Sequence, residues 1–149
     1  MKGLGLCGLW LFVLFAASRA GAADARWLDD PYLGLRVARH DQRPLIVLFT
    51  SERCYYCQQL KQQTLTSPKV QAQLANSYVP VELNARKHAA LAQRLGVHRY
   101  PTLLVISPQN RLVTRVEGFV SADKLADTLL GAAQAVRLAA GRATSADRP

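Results

Sequence analysis

Cysteine is scarce in this sequence, with three in 149 residues, at positions 7, 54 and 57. That scarcity excludes a small domain built on a disulfide framework, and equally a site of four cysteine ligands. Acidic residues are also few, 10 against 19 basic ones. The basic residues are scattered (Arg26, Arg36, Arg39, Arg43, Lys61, Lys69, Arg86, Lys87, Arg94) and form no dense run. They read as an evenly solvated basic face, and nucleic acid is not an expected partner. No internal repeat is present, and no apolar run reaches the roughly 20 residues of a membrane-spanning helix.

What is present is enough apolar material, 50% of the chain, for one compact core. The first residues stand apart from it. Met1-Lys2 is a short basic start, Leu4 to Ala17 is almost wholly apolar, and the small residues Ala20, Gly21 and Ala22 follow. This three-part layout predicts a secretory signal peptide over 1–22, cut after Ala20 or Ala22, with Cys7 discarded along with it. Without Lys2 and Arg19, 17 basic residues face 10 acidic ones, a formal charge of +7. The expected location is the periplasm, or the exterior if the source lacks an outer membrane.

The remaining chain divides into a helical lead-in over 23–43, a domain over 44–140 and a flexible tail over 141–149. A leading helix is expected within 27–41. Leu45 to Phe49 is a continuous apolar run, as a strand covered on both faces requires. A turn follows, and the pattern becomes helical from Cys54, with Tyr56, Leu60 and Leu65 able to share a face. Ser67-Pro68 restarts a helix. Strands are expected over 78–83, 101–107 and 112–117, a helix over 87–95, and a last helix capped by Ser121. The fold class is therefore α/β, a mixed sheet of about four strands with helices on both faces.

Cys54 and Cys57 are separated by two residues. A bridge closing so small a loop removes little unfolded-state entropy and is a poor staple. Two cysteines could also furnish half a metal site, but there is no second pair, and His40, His88 and His98 have no matching spacing. Cys54 falls where a buried strand gives way to a helix, beside unpaired amides and the positive end of the helix dipole. That setting favours a thiolate, the form that attacks disulfides. Cys57, one turn later, is placed to resolve the mixed disulfide. Arg53 adds a positive charge that Glu52 partly opposes. The pair therefore reads as a redox-active disulfide, with Cys54 and Cys57 catalytic, no metal and no bound cofactor. Pro101 opens an apolar strand, where it must donate no ladder hydrogen bond.

Residues 44–132 resemble the thioredoxin superfamily. They are most similar to the periplasmic C-terminal thioredoxin-like domain of the bacterial transmembrane thiol–disulfide interchange reductases. The resemblance rests on Cys54-Tyr-Tyr-Cys-Gln-Gln-Leu-Lys, on Thr64-Leu-Thr-Ser-Pro-Lys-Val70, and on Gly96-Val-His-Arg-Tyr-Pro-Thr102, which looks like the cis-proline loop of protein disulfide isomerases. It implies a thioredoxin fold, a cis Pro101 facing the cysteines, and an extended substrate held at Tyr55, Tyr100, Pro101 and Thr102. It further implies reduction of disulfides in exported proteins, with electrons from a membrane donor, by a monomer. The 44 positions from Cys57 to Pro101 leave no room for the inserted helical domain of the main periplasmic oxidase. Two departures bear on redox poise. Tyr55-Tyr56 stands between the cysteines, and Leu48 occupies the position of the family's buried acid. Glu82 lies where lysine is common, as a candidate proton relay to Cys57 or as a plain exposed strand-edge residue. Tyr56 is expected to pack in the core and Tyr55 to stay exposed. The same residues would also serve a net oxidase or isomerase, or a client-binding module without catalysis.

Overall fold

The structure is a computed structural model describing residues 24–146. The expected signal peptide lies outside the described residues.

All six residues of β1 (Leu45–Thr50) are buried, as its unbroken apolar sequence requires of a central strand. It pairs in parallel with β2 (Val79–Asn84) and antiparallel with β3 (Thr102–Ile106). β3 pairs antiparallel with β4 (Leu112–Glu117), so the sheet order is β2-β1-β3-β4. Alternation along β1 then builds two cores. Ile46 and Leu48 face α2 (Tyr55–Gln59), α3 (Pro68–Ser77) and α5 (Ala122–Ala146), packing on Leu60, Val70, Leu74, Leu125 and Leu129. Leu45, Val47 and Phe49 face α1 (Pro31–His40) and α4 (Ala89–Arg94), packing with Ala38, Val81 and Ala92. The expected mixed sheet with helices on both faces is what the chain forms.

Two boundaries differ from the sequence reading. The leading helix begins only at Pro31, where Asp30 caps it by accepting from the amides of Tyr32 and Leu33. Ahead of it, Leu28 runs beside the outer edge of β2, its N–H donating to Pro80 and its carbonyl accepting from Glu82. Pro80 thus sits where its missing N–H costs no bond to β1, and the exposed edge is covered. At the other end, α5 runs on to Ala146, so residues 141–146 of the expected flexible tail are helical. The alanine-rich stretch before them, 132–140, carries on a helix that packing has already nucleated, and the last residues continue it.

Gly34 is where α1 touches the sheet. A Cβ built there would lie 2.4 Å from Val81 Cγ2 and 3.1 Å from Leu45 Cδ1. Val81 is fully buried and stiff at χ1, so it cannot swing aside. The clash therefore outweighs the ~1 kcal/mol of helix propensity that alanine adds. Gly34→Ala should lose about 1–2 kcal/mol of stability, read as a lower urea midpoint at constant slope. An unchanged midpoint would mean that α1 does not approach the sheet this closely.

Tyr78 anchors α5 on the opposite face of the sheet, in the core with Ile46 and Leu48. Its ring is 1% exposed, and its hydroxyl donates to the Leu129 carbonyl. Burial pushes the phenol up from 10.0 to about 12. The folded state therefore favours the neutral ring, a stabilisation fully present below pH 10 and lost as pH rises from there through about 12. The wild type should lose on the order of 3 kcal/mol more than Tyr78→Phe across that window in denaturant titrations. Parallel curves for the two proteins would contradict the burial.

Candidate active site

The end of β1 delivers the chain to a tight corner. Ser51 to Arg53 turn, with Arg53 in the left-handed region at φ 58°. Cys54 is extended and serves as the N-cap of α2, its Sγ accepting from the Cys57 amide at 3.1 Å. The Cys54 carbonyl accepts from the Gln58 amide at 3.2 Å. A helix start leaves such amides without backbone partners, and here a sulfur takes one. Cys54 and Cys57 are joined as a disulfide, their Cα atoms 5.2 Å apart. The two cysteines are unequally exposed. Cys57 is 4% exposed, whereas Cys54 is half-buried and reachable from solvent.

Facing this corner is the loop that leads into β3. The Tyr100–Pro101 peptide is cis. Three contacts hold the loop in place. Thr102 Oγ1 donates to the Arg99 carbonyl at 2.7 Å, the Gly118 amide donates to the Pro101 carbonyl at 2.8 Å, and Arg115 caps the end of α4 through the carbonyls of Leu95 and Gly96. Gly96, at φ 63°, gives α4 the left-handed exit that this cap needs. Tyr100 shares a cavity of about 560 Å³ with Ser51, Glu52 and Arg53, which brings the loop and the cysteine corner together.

Of the expected substrate-contacting residues, Tyr55 is exposed and Tyr100 half-buried. Pro101 and Thr102 are buried, and the Thr102 side chain is a strut within its own loop, so it presents nothing to a ligand. Tyr56 does not pack in the core. It is 57% exposed and meets Tyr55 edge to face, with ring centroids 5.5 Å apart. The inward stripe runs through Cys57, Leu60 and Thr64 instead, leaving both tyrosines outside it.

Glu82 is neither a bare edge residue nor isolated. Its register partner is Leu48, which is fully buried where an acid was looked for. Its Oε1 accepts from Thr50 Oγ1 at 3.3 Å and pairs with Lys61 Nζ. Lys61 lies one helical turn beyond Cys57, within a π-helical turn over Leu60–Thr64. Lys61 and Thr50 reach Glu82 from elements 21 and 32 residues away in sequence, and no local periodicity announces such contacts. Among the described residues, no group of three or more His, Cys, Asp or Glu side chains is placed to hold a metal ion.

Residues 33–133 match the thioredoxin-like domain family. The thiol:disulfide interchange protein DsbD of Yersinia pestis is 31% identical over 97 residues, which is 62% of this chain and 16% of that protein. The chain thus spans about a sixth of the length of that curated relative. Among solved structures, a DsbH oxidoreductase superposes with a TM-score of 0.70 at 17% identity, covering 89% of this chain and 95% of that one. A thioredoxin from Thermus thermophilus gives 0.67 at 27% identity, covering 72% and 86%. The chain belongs to the thioredoxin-like family, and with its Cys54–Cys57 disulfide it is a thiol–disulfide oxidoreductase.

Proposed function

We propose that this protein is exported and reduces disulfides in extracytoplasmic proteins, with Cys54 as nucleophile and Cys57 as resolving thiol. The observation that carries this reading is the inequality of the cysteines, Cys54 half-buried with its Sγ accepting an amide and Cys57 buried. In the reduced protein the Cys54 thiolate attacks one sulfur of a substrate disulfide, and the leaving substrate thiolate takes up a proton. Cys57 then loses its proton and attacks Cys54 Sγ. That step releases the second substrate thiol and leaves the Cys54–Cys57 disulfide. Two electrons have passed to the substrate, and a membrane donor must return them, since an oxidising compartment supplies none.

Export rests on the three-part layout of residues 1–22, and the periplasm is the compartment we assign. Among the described residues no helix is long and apolar enough to cross a membrane. The reducing direction follows the resemblance of residues 44–132 to the thioredoxin-like domain of the interchange reductases. We assign substrate contact to Tyr55 and to the backbone around Tyr100, Pro101 and Thr102, and monomeric action to the chain. A net oxidase or isomerase would use the same atoms at a less reducing poise. A potential below about −200 mV is expected for a reductase, and one near −120 mV would make the protein an oxidant.

Cys57→Ser should accumulate mixed disulfides with exported proteins, and Cys54→Ser should accumulate none and lose exchange activity by at least about 10³-fold. Activity that survives Cys54→Ser would end the assignment and favour a client-binding module.

Glu82 lies on the cysteine-helix side of the sheet, held by Thr50 and Lys61. We assign it the proton relay to Cys57. Glu82→Gln should alter the pH profile of the resolving step, and an identical profile would remove Glu82 from the mechanism.

A further inference from the structure

We propose that the cavity between the cysteine corner and the cis-proline loop receives a carboxylate side chain of the polypeptide substrate, a few residues from its reactive cysteine. The inference rests on the exchange reading above and adds to it a substrate class. The cavity, about 560 Å³, is walled by Ser51, Glu52 and Arg53 on one side, by Ala85, Arg86 and Ala89 on another, and by Tyr100. Three loops therefore meet at it, spanning 51–53, 85–88 and 96–101. Two of the lining side chains are cationic, Arg53 and Arg86, against a single acid, Glu52. Both cations are exposed.

Glu52 does not cancel this field. Its Oε2 accepts from Arg86 Nη1 at 3.0 Å, and both side chains are open to water. Such an exposed pair contributes little, and a guanidinium has five N–H donors, so an incoming carboxylate can share or replace Glu52. Arg53 joins the turn after β1 to the cysteine corner with its backbone in the left-handed region. Tyr100 supplies a half-buried wall against which a chain can lie.

The ligand is a polypeptide and not a small anion because the exposed surface continues past the cavity. Tyr55 and Tyr56 lie outside it, on the other side of Cys54 in sequence, as an exposed aromatic pair. A segment with its cysteine at Cys54 meets guanidinium groups on one flank and aromatic rings on the other. An acidic residue on one side of the reactive cysteine and an apolar one on the other fit this surface.

The experiment compares two disulfide-linked peptides of one sequence, carrying either aspartate or lysine two residues either side of the cysteine. The readout is the ratio of the second-order rate constants with which the two peptides oxidise the pre-reduced protein. A ratio cancels any change in the intrinsic reactivity of Cys54. At low ionic strength the wild type should favour the aspartate peptide by about tenfold or more. The preference should fall below about twofold in ~1 M salt, where charges are screened beyond about 3 Å. Arg86→Glu should reverse it. Arg36→Glu makes the same charge change on α1, away from the cavity, and should move the ratio by less than about twofold. A ratio near one, or a shift in Arg36→Glu equal to that in Arg86→Glu, would overturn the proposal. Turnover of uncharged bis(2-hydroxyethyl) disulfide by the wild type separates the two levels. If it is turned over while the peptides are equal, only the carboxylate site fails. If it is not, the exchange reading fails.

Discussion

The amide of Cys57 points at the sulfur of Cys54 because β1 ends where it does. A strand buried on both faces must surrender its chain at the sheet edge, and the first residue beyond the turn becomes the cap of a helix. Where serine or aspartate would ordinarily accept the unpaired amide, this chain offers a sulfur. One contact thereby links fold and chemistry. It fixes Cys54 at the rim, sends Cys57 one turn inward to 4% exposure, and leaves them close enough to bond. Once the disulfide opens, the same amide favours a negative charge on Cys54, since hydrogen bonds to ions are the stronger kind.

The opposite wall of the site is braced from behind. Arg115 on β4 ties down the end of α4, Gly118 holds the Pro101 carbonyl, and Thr102 turns inward on its own loop. None of these presents a side chain to a substrate, yet together they hold Tyr100 against the cysteine corner. The hairpin β3–β4 thus serves the site as a frame. The aromatic pair Tyr55–Tyr56 supplies the exposed surface, and the buried stripe Cys57, Leu60 and Thr64 anchors the helix beneath it.

Much of this was legible in the sequence, for identifiable physical reasons. An unbroken apolar run has only one comfortable place in a sheet, so β1 was evident. Ser67-Pro68 marked the start of α3 to the residue, because proline fits the first helical position and few others. The corner position of Cys54 followed from the end of that run and the helical pattern that begins at Cys54. The features that were not legible depend on geometry without a periodic trace. Tyr56 aligns with Leu60 on an ideal helix, but the buried face passes through Cys57, and a π turn follows. Lys61 meets Glu82 across 21 residues of sequence, a tertiary contact with no local pattern. The close approach at Gly34 and the strand-like path of Leu28 depend on neighbours distant in sequence, which no local pattern encodes.

Exchange chemistry at this corner depends on the inequality of the two cysteines. Its most direct test is the pH dependence of alkylation in the reduced protein, with the modified residue identified by mass spectrometry. Cys54 should react first, with a midpoint below the ~8.5 of a free cysteine, while Cys57 stays protected until the protein unfolds. Equal labelling of both thiols, or a Cys54 midpoint at or above ~8.5, would contradict it.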